Sequence, residues 1–128
     1  METTRTGDAR PEPQVTHCYI YAHVARSNPL AIERQVQDGH TLAKSLSSPA
    51  TEYKVTRVFR DDGGSGLSSD RPAYKELLAE LEKGDVATVL VSGEDRLYRS
   101  TTLQQAYSEL SSRLGITTYS AQSGRVGR

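Results

Sequence analysis

Apolar and polar positions change period several times along this chain, and each change marks an element. Residues 16–25 alternate, with Cys18, Ile20, Ala22 and Val24 on one face and Tyr19, Tyr21, His23 and Ala25 on the other, which is the period of a strand. The spacing then lengthens to that of a helix. Asn28 suits the N-cap, Pro29 the first helical position, and Ile32, Val36, Ala43 and Leu46 form an apolar stripe running to about Leu46. Residues 53–59 form a second strand, and residues 60–69 (RDDGGSGLSS) a loop. Pro72 opens a second helix whose apolar face is Tyr74, Leu77, Leu78 and Leu81, and Gly84 ends it. Residues 86–92 are almost continuously apolar, as in a central parallel strand. A third helix opens near Ser100 or Thr101, where Thr101 and Gln104 fit a capping box. It presents Leu103, Ala106, Tyr107, Leu110 and Leu114, and Gly115 closes it. Residues 116–120 form a short last strand. Residues 1–14 are polar with two prolines and read as a disordered arm, residues 15–121 as the domain, and residues 122–128 as a flexible tail.

The order β-α-β-α-β-α-β predicts an α/β domain with a parallel sheet and helices on both faces. Ligand sites in such sheets lie off the carboxyl ends of the strands. In this chain those ends are residues 25–28, 60–70 and 93–99, which hold its unusual residues.

The 128 residues fit one domain. Lys and Arg number 16, as do Asp and Glu, so the net charge is zero and does not predict an autonomous nucleic-acid binder. A local arginine cluster can still hold one phosphate. The single Cys18 cannot form an internal disulfide and reads as a buried thiol in a reducing cytoplasm. No apolar run is long enough to span a membrane, and the N-terminus has no signal-peptide core, so a cytoplasmic location is expected. No cofactor and no metal is implied.

The segment Asp95-Arg96-Leu97-Tyr98-Arg99 resembles the Asp-Arg-Leu-Gly-Arg signature after the third strand of serine recombinases, the resolvase/invertase family. Ser69-Asp70-Arg71-Pro72 resembles the Asp-Arg-Pro opening their second long helix. Asp61-Asp62-Gly63-Gly64-Ser65-Gly66 resembles their Asp-Gly-x-Ser-Gly mobile loop, and Ile32-Glu33-Arg34-Gln35 the Glu-x-Gln of their first helix. The resemblance runs from about Tyr19 to Ser120. It implies a resolvase-like three-layer fold around a mostly parallel sheet of four or five strands. It also implies that Arg71, Arg96 and Arg99 surround a scissile phosphate, with Asp95 orienting an arginine or shuttling a proton. Planar guanidinium groups suit that task because attack on a phosphodiester builds charge on the non-bridging oxygens. The plainer alternative makes these arginines surface residues paired with Asp61, Asp62, Asp70 and Glu94.

Tyr21-Ala22-His23-Val24-Ala25 is similar to the family's first strand, Tyr-x-Arg-Val-Ser, but His23 stands in place of the Arg and Ala25 in place of the nucleophilic Ser. A methyl group cannot form a phosphodiester with DNA. Ser27, two residues on, is the alternative nucleophile, against a helix-capping role beside Asn28. Tyr98, where the family has Gly, adds bulk beside Arg99. Three functions stay open: a recombinase-type domain with disabled chemistry, an active strand-exchange enzyme using Ser27, and a regulatory or protein-binding module on the same fold. The partners implied are DNA, bound weakly without a separate DNA-binding module, and a full-length recombinase or a second copy of the chain.

Overall fold

The structure, a computed structural model, describes residues 12–63 and 71–126. Its elements are β1 (Gln14–Val24), α1 (Pro29–Leu46), β2 (Thr51–Asp62), α2 (Pro72–Glu82), β3 (Thr88–Val91), a 3-10 turn (Glu94–Arg96), α3 (Thr101–Leu114), β4 (Thr117–Ser120) and β5 (Gly124–Arg125). The sheet has five strands in the order β2-β1-β3-β4-β5, all neighbours parallel except β4 and β5.

The two faces of β1 follow the alternation of its side chains. Tyr19 and Tyr21 enter a cluster with Tyr74, Leu77 and Leu81 of α2 and Tyr107 of α3. Cys18 and Ile20 pack on Ala43 of α1, and Ala22 on Ile32 and Val36. One layer is therefore α1, the middle is the sheet, and the other layer is α2 and α3. Helix α1 comes very close to β1 at Gly39, where an added methyl carbon would lie 2.7 Å from Ile20 Cδ1. The helix ends carry their expected signals. Asn28 caps α1 by accepting from the Ala31 amide, Ser100 caps α3 by accepting from the Leu103 amide, and Gly115 closes α3 at φ 70°.

Strand β2 departs from simple alternation in a way that matters for the site. Cys18 pairs with Val55 and Tyr19 with Arg57, so Thr56 is an extra residue in the ladder. A one-residue bulge exchanges the two faces beyond it. Before it, Tyr53 and Val55 face the α1 layer. After it, Val58 faces that layer and Phe59 turns to the α2 side.

Several boundaries differ from the sequence expectation. Strand β2 continues through Asp62, where a loop beginning at residue 60 was expected, because pairing with β1 extends to the Val24–Asp62 pair. Strand β1 ends at Val24, so Ala25 lies beyond it and strand alternation does not orient that residue. The cap of α3 is Ser100 rather than a Thr101–Gln104 box. Part of the expected tail is structured: residues 121–123 turn, and Gly124–Arg125 pairs antiparallel with Tyr119 and Ser120. Of the expected N-terminal arm, residues 1–11 lie outside the described residues, as do the loop residues 64–70, including Ser65, Ser69 and Asp70, and residues 127–128 of the tail.

Candidate functional site

The carboxyl ends of β1, β2 and β3 converge, and each is fastened by a polar side chain from another element. At β1, the Gln35 amide on α1 takes both main-chain groups of His23. The His23 N–H donates to Gln35 Oε1 at 3.0 Å, and Gln35 Nε2 donates to the His23 carbonyl at 2.9 Å. Pairing of β1 with β3 covers only Tyr19 and Ile20, so Gln35 serves the strand after its neighbour has ended. The His23 ring is buried and lies nearly parallel to the Tyr21 ring at 6.4 Å. Ala25 and Ser27 are exposed.

Strand alternation sets the two acids that end β2 on opposite sides, and the bulge at Thr56 decides which acid faces which layer. Asp62 accepts from the Ser27 hydroxyl at 3.2 Å and from the Asn28 amide at 2.6 Å, holding the β1–α1 connection. Asp61 turns to the other side, where it is buried. One of its oxygens accepts from the Ala73 amide, and the other from the Tyr74 amide and the Tyr21 hydroxyl, at 2.8 to 2.9 Å. Helix α2 begins at Pro72, and Arg71 at its N-cap position makes no capping bond with its side chain. Asp61 supplies that cap from the neighbouring strand.

Arg71 itself has no exposed surface. Its Nη1 donates to the Tyr21 hydroxyl at 3.1 Å and to the Arg96 carbonyl at 3.0 Å, while Nη2 donates to the Leu97 carbonyl at 2.8 Å. The guanidinium also lies over the Tyr74 ring, 4.1 Å from its centre. Burial, and then the hydrogen bond to Asp61, raise the Tyr21 pKa well above its ordinary value, so the hydroxyl keeps its proton between the carboxylate and the guanidinium.

After β3, the turn Glu94–Arg96 leads into Leu97, Tyr98 and Arg99. Leu97 is fully buried and anchors the segment. The Asp95 carboxylate is half exposed, 3.8 Å from Arg96 Nε and 3.9 Å from an Arg99 terminal nitrogen. Arg99 is half exposed, and Arg96 is about a quarter exposed. Arg96 Nε is buried and makes no hydrogen bond among the described residues, its nearest counter-charge being the Asp95 carboxylate at 3.8 Å. Arg99 and Asp95 border a cavity of about 350 Å³ at the start of α3, together with Glu94 and Ser100.

The structure thus brings Asp95, Arg96 and Arg99 together at the end of β3 and sets Arg71 directly beneath them, inside the protein. The expected bulk of Tyr98 beside Arg99 points elsewhere: its ring is buried against Tyr107, and its hydroxyl donates to Glu94. Ser27 does not cap α1, since Asn28 performs that task. Sequence reasoning missed the roles of Tyr21, Gln35 and Asp61. Two signals pointed to them: a glutamine set within the apolar stripe of α1, and a helix that starts at proline with an arginine where a capping side chain belongs. Among the described residues, no group of three or more His, Cys, Asp and Glu side chains converges to hold a metal ion.

Comparison with known proteins agrees with this architecture. The sequence model of the family described as "Resolvase, N terminal domain" matches residues 18–127. No curated protein matches the chain. Among solved structures, the chain is similar to the C-terminal catalytic domain of ISC1926 TnpA, an IS607-like serine recombinase. That match has 29% identity and a TM-score of 0.71, covering 82% of this chain and 70% of that one. The N-terminal catalytic domain of TP901-1 integrase matches with 25% identity and a TM-score of 0.72, covering 85% and 79%. A resolvase family site-specific recombinase from Streptococcus pneumoniae shares the fold at 19% identity and a TM-score of 0.71, covering 87% and 76%.

Proposed function

The chain belongs to the resolvase N-terminal-domain family of serine recombinases, and on that footing we propose that it is a recombinase-type domain that engages DNA phosphate without cleaving it. The observation that carries this reading is the contrast between two strand ends. At the end of β3, Arg96 and Arg99 gather about Asp95, with Arg99 half exposed and Arg96 about a quarter exposed. With Arg71 behind them, they form the phosphate-binding unit. At the end of β1, the resemblance to the family's Tyr-x-Arg-Val-Ser puts Ala25, whose side chain has no oxygen to attack phosphorus, at the nucleophile's place and His23 at the arginine's. DNA is the proposed ligand, and an active recombinase subunit or a second copy of this chain the proposed protein partner.

The test is fluorescence anisotropy of a labelled duplex at low and at physiological salt, comparing the protein with its Arg96→Ala/Arg99→Ala variant. Phosphate contacts release counterions, so log affinity should fall steeply with log salt, and the variant should show both weaker binding and a shallower slope. Absence of binding at low salt refutes the reading. In the His23→Arg/Ala25→Ser double variant, a covalent protein–DNA adduct on a cleavable substrate is expected if the lost residues alone disable the chemistry.

One observation favours a second reading. The Ser27 hydroxyl is exposed, is free of capping duty, and donates to the Asp62 carboxylate, a group able to take its proton. A covalent adduct formed by the unaltered protein and lost in Ser27→Ala would establish Ser27 as the nucleophile and overturn the inactive reading.

A further inference from the structure

We infer that Arg71 is the positioning residue of the arginine-bearing segment after β3: it sets where Arg96 and Arg99 present their charge and does not itself contact DNA. The inference rests on the phosphate-binding reading above and changes the part Arg71 has in it. The guanidinium has no exposed surface, and its Nη1 and Nη2 both donate to protein acceptors. Two of those acceptors are consecutive main-chain carbonyls, those of Arg96 and Leu97. A guanidinium can bridge such a pair because its donors are splayed in a rigid plane, whereas an ammonium is a single point of charge.

Arg71 is also fixed from behind. The Tyr21 hydroxyl that accepts from it donates in turn to Asp61, and Asp61 holds the first amides of α2, the helix that Arg71 precedes. A continuous chain therefore runs from the α2 N-terminus through Asp61, Tyr21 and Arg71 to the carbonyls of the Arg96 segment. Turning Arg71 outward to a phosphate would break these bonds and leave the Arg96 and Leu97 carbonyls and the Tyr21 hydroxyl oxygen short of a donor. The same bonds hold the segment so that Arg99 is half exposed and Arg96 about a quarter exposed. Leu97 between them is pulled into the core, and the carbonyls on either side of its amide plane are held from below.

The experiment pairs amide hydrogen exchange with DNA anisotropy over a salt series, in the unaltered protein and in Arg71→Lys, Arg71→Gln and Arg99→Ala. The exchange reporters are the Arg96 and Leu97 amides, which close the 3-10 turn, and the Leu103 and Gln104 amides, which bond to Ser100. If Arg71 positions the segment, both Arg71 variants should speed exchange at these amides about tenfold or more. Both should also weaken DNA binding, the lysine variant included although it keeps the charge. Arg99→Ala should weaken DNA binding while exchange stays native.

If Arg71→Lys keeps DNA affinity and native exchange, while Arg71→Gln lowers the salt slope by about one with exchange unchanged, Arg71 contacts phosphate directly and the inference fails. If exchange rises while DNA affinity stays constant, the residue is merely structural, and the inference fails in that way instead. Should Arg71→Gln not fold, the lysine variant decides alone. Should the unaltered protein bind no duplex, the phosphate reading falls, and unchanged exchange in Arg71→Lys would separately refute the hold on the segment.

Discussion

Asp61 ties the start of α2 to the strands beneath this site. Its two oxygens accept from two α2 amides and from the Tyr21 hydroxyl in a buried setting. Removing it leaves three donors without an acceptor, so Asp61→Ala should cost about 3 kcal/mol in urea denaturation. Asp61→Asn, which keeps an acceptor oxygen, should cost about 1 kcal/mol. Gly39 is the second residue whose identity is imposed by its surroundings. Gly39→Ala gains helix propensity of about 1 kcal/mol but drives a methyl into Ile20, an overpacking cost of about 1–3 kcal/mol, so a net loss is expected. The Gly39→Ala/Ile20→Val double variant should recover part of that loss in the same measurement, because the methyl groups that clash belong to Ile20. Among the arginines, the place of Arg96 and Arg99 after β3 was legible from the resemblance of residues 95–99 to a family signature. The interior position of Arg71 was not, because a sequence gives no sign of which carbonyls will lie under a guanidinium.

At the scale of elements, the bulge in β2 decides which acid does what. With Thr56 inserted, Asp61 faces α2 and Asp62 faces the β1–α1 connection. Deleting Thr56 should exchange the two faces downstream, turning Phe59 out of the core and taking Asp61 away from α2. The expected result is loss of cooperative thermal unfolding, or a large fall in the midpoint. A native-like unfolding curve would show that the strand re-registers and that the bulge is dispensable. The alternation of β1 and the apolar stripes of the three helices were readable because each depends on near neighbours in sequence. The bulge was not, since an extra residue is defined only against the strand that pairs with it. The short strand β5 escaped notice for the same reason: its polar residues Gly124 and Arg125 pair because the preceding turn brings them beside β4.

For the molecule as a whole, tyrosine is the unusual ingredient of the core. Burial pushes the hydroxyls of Tyr21, Tyr98 and Tyr107 well above their ordinary pKa, assisted by Asp61 at Tyr21 and by Glu94 at Tyr98. These groups hold their protons more tightly in the folded chain than in the unfolded one. Their contribution to stability is thus complete below about pH 10 and declines as pH rises above it. Denaturant midpoints measured from pH 8 upward should be flat to about pH 10 and then fall, together with the rise in tyrosinate absorbance. Cys18, raised by burial to about 11, should react with thiol reagents only as the chain unfolds in the same range. No helix is long and apolar enough to cross a membrane among the described residues.

The sequence by itself determined the order of strands and helices, the two faces of β1, the helix caps at Asn28 and Gly115, the arginine-bearing segment after β3, and the absence of an oxygen at position 25. All of these follow from residue identity or from short-range periodicity. Tertiary structure decided the rest: that Asp61 caps a helix from a neighbouring strand, that the Gln35 amide takes both main-chain groups of His23, that Arg71 lies in the interior bonded to the Arg96 and Leu97 carbonyls, and that Tyr98 packs inward. A polar side chain in a folded core goes to whichever distant acceptor or donor would otherwise be left unpaired, and that pairing exists only once the layers have come together.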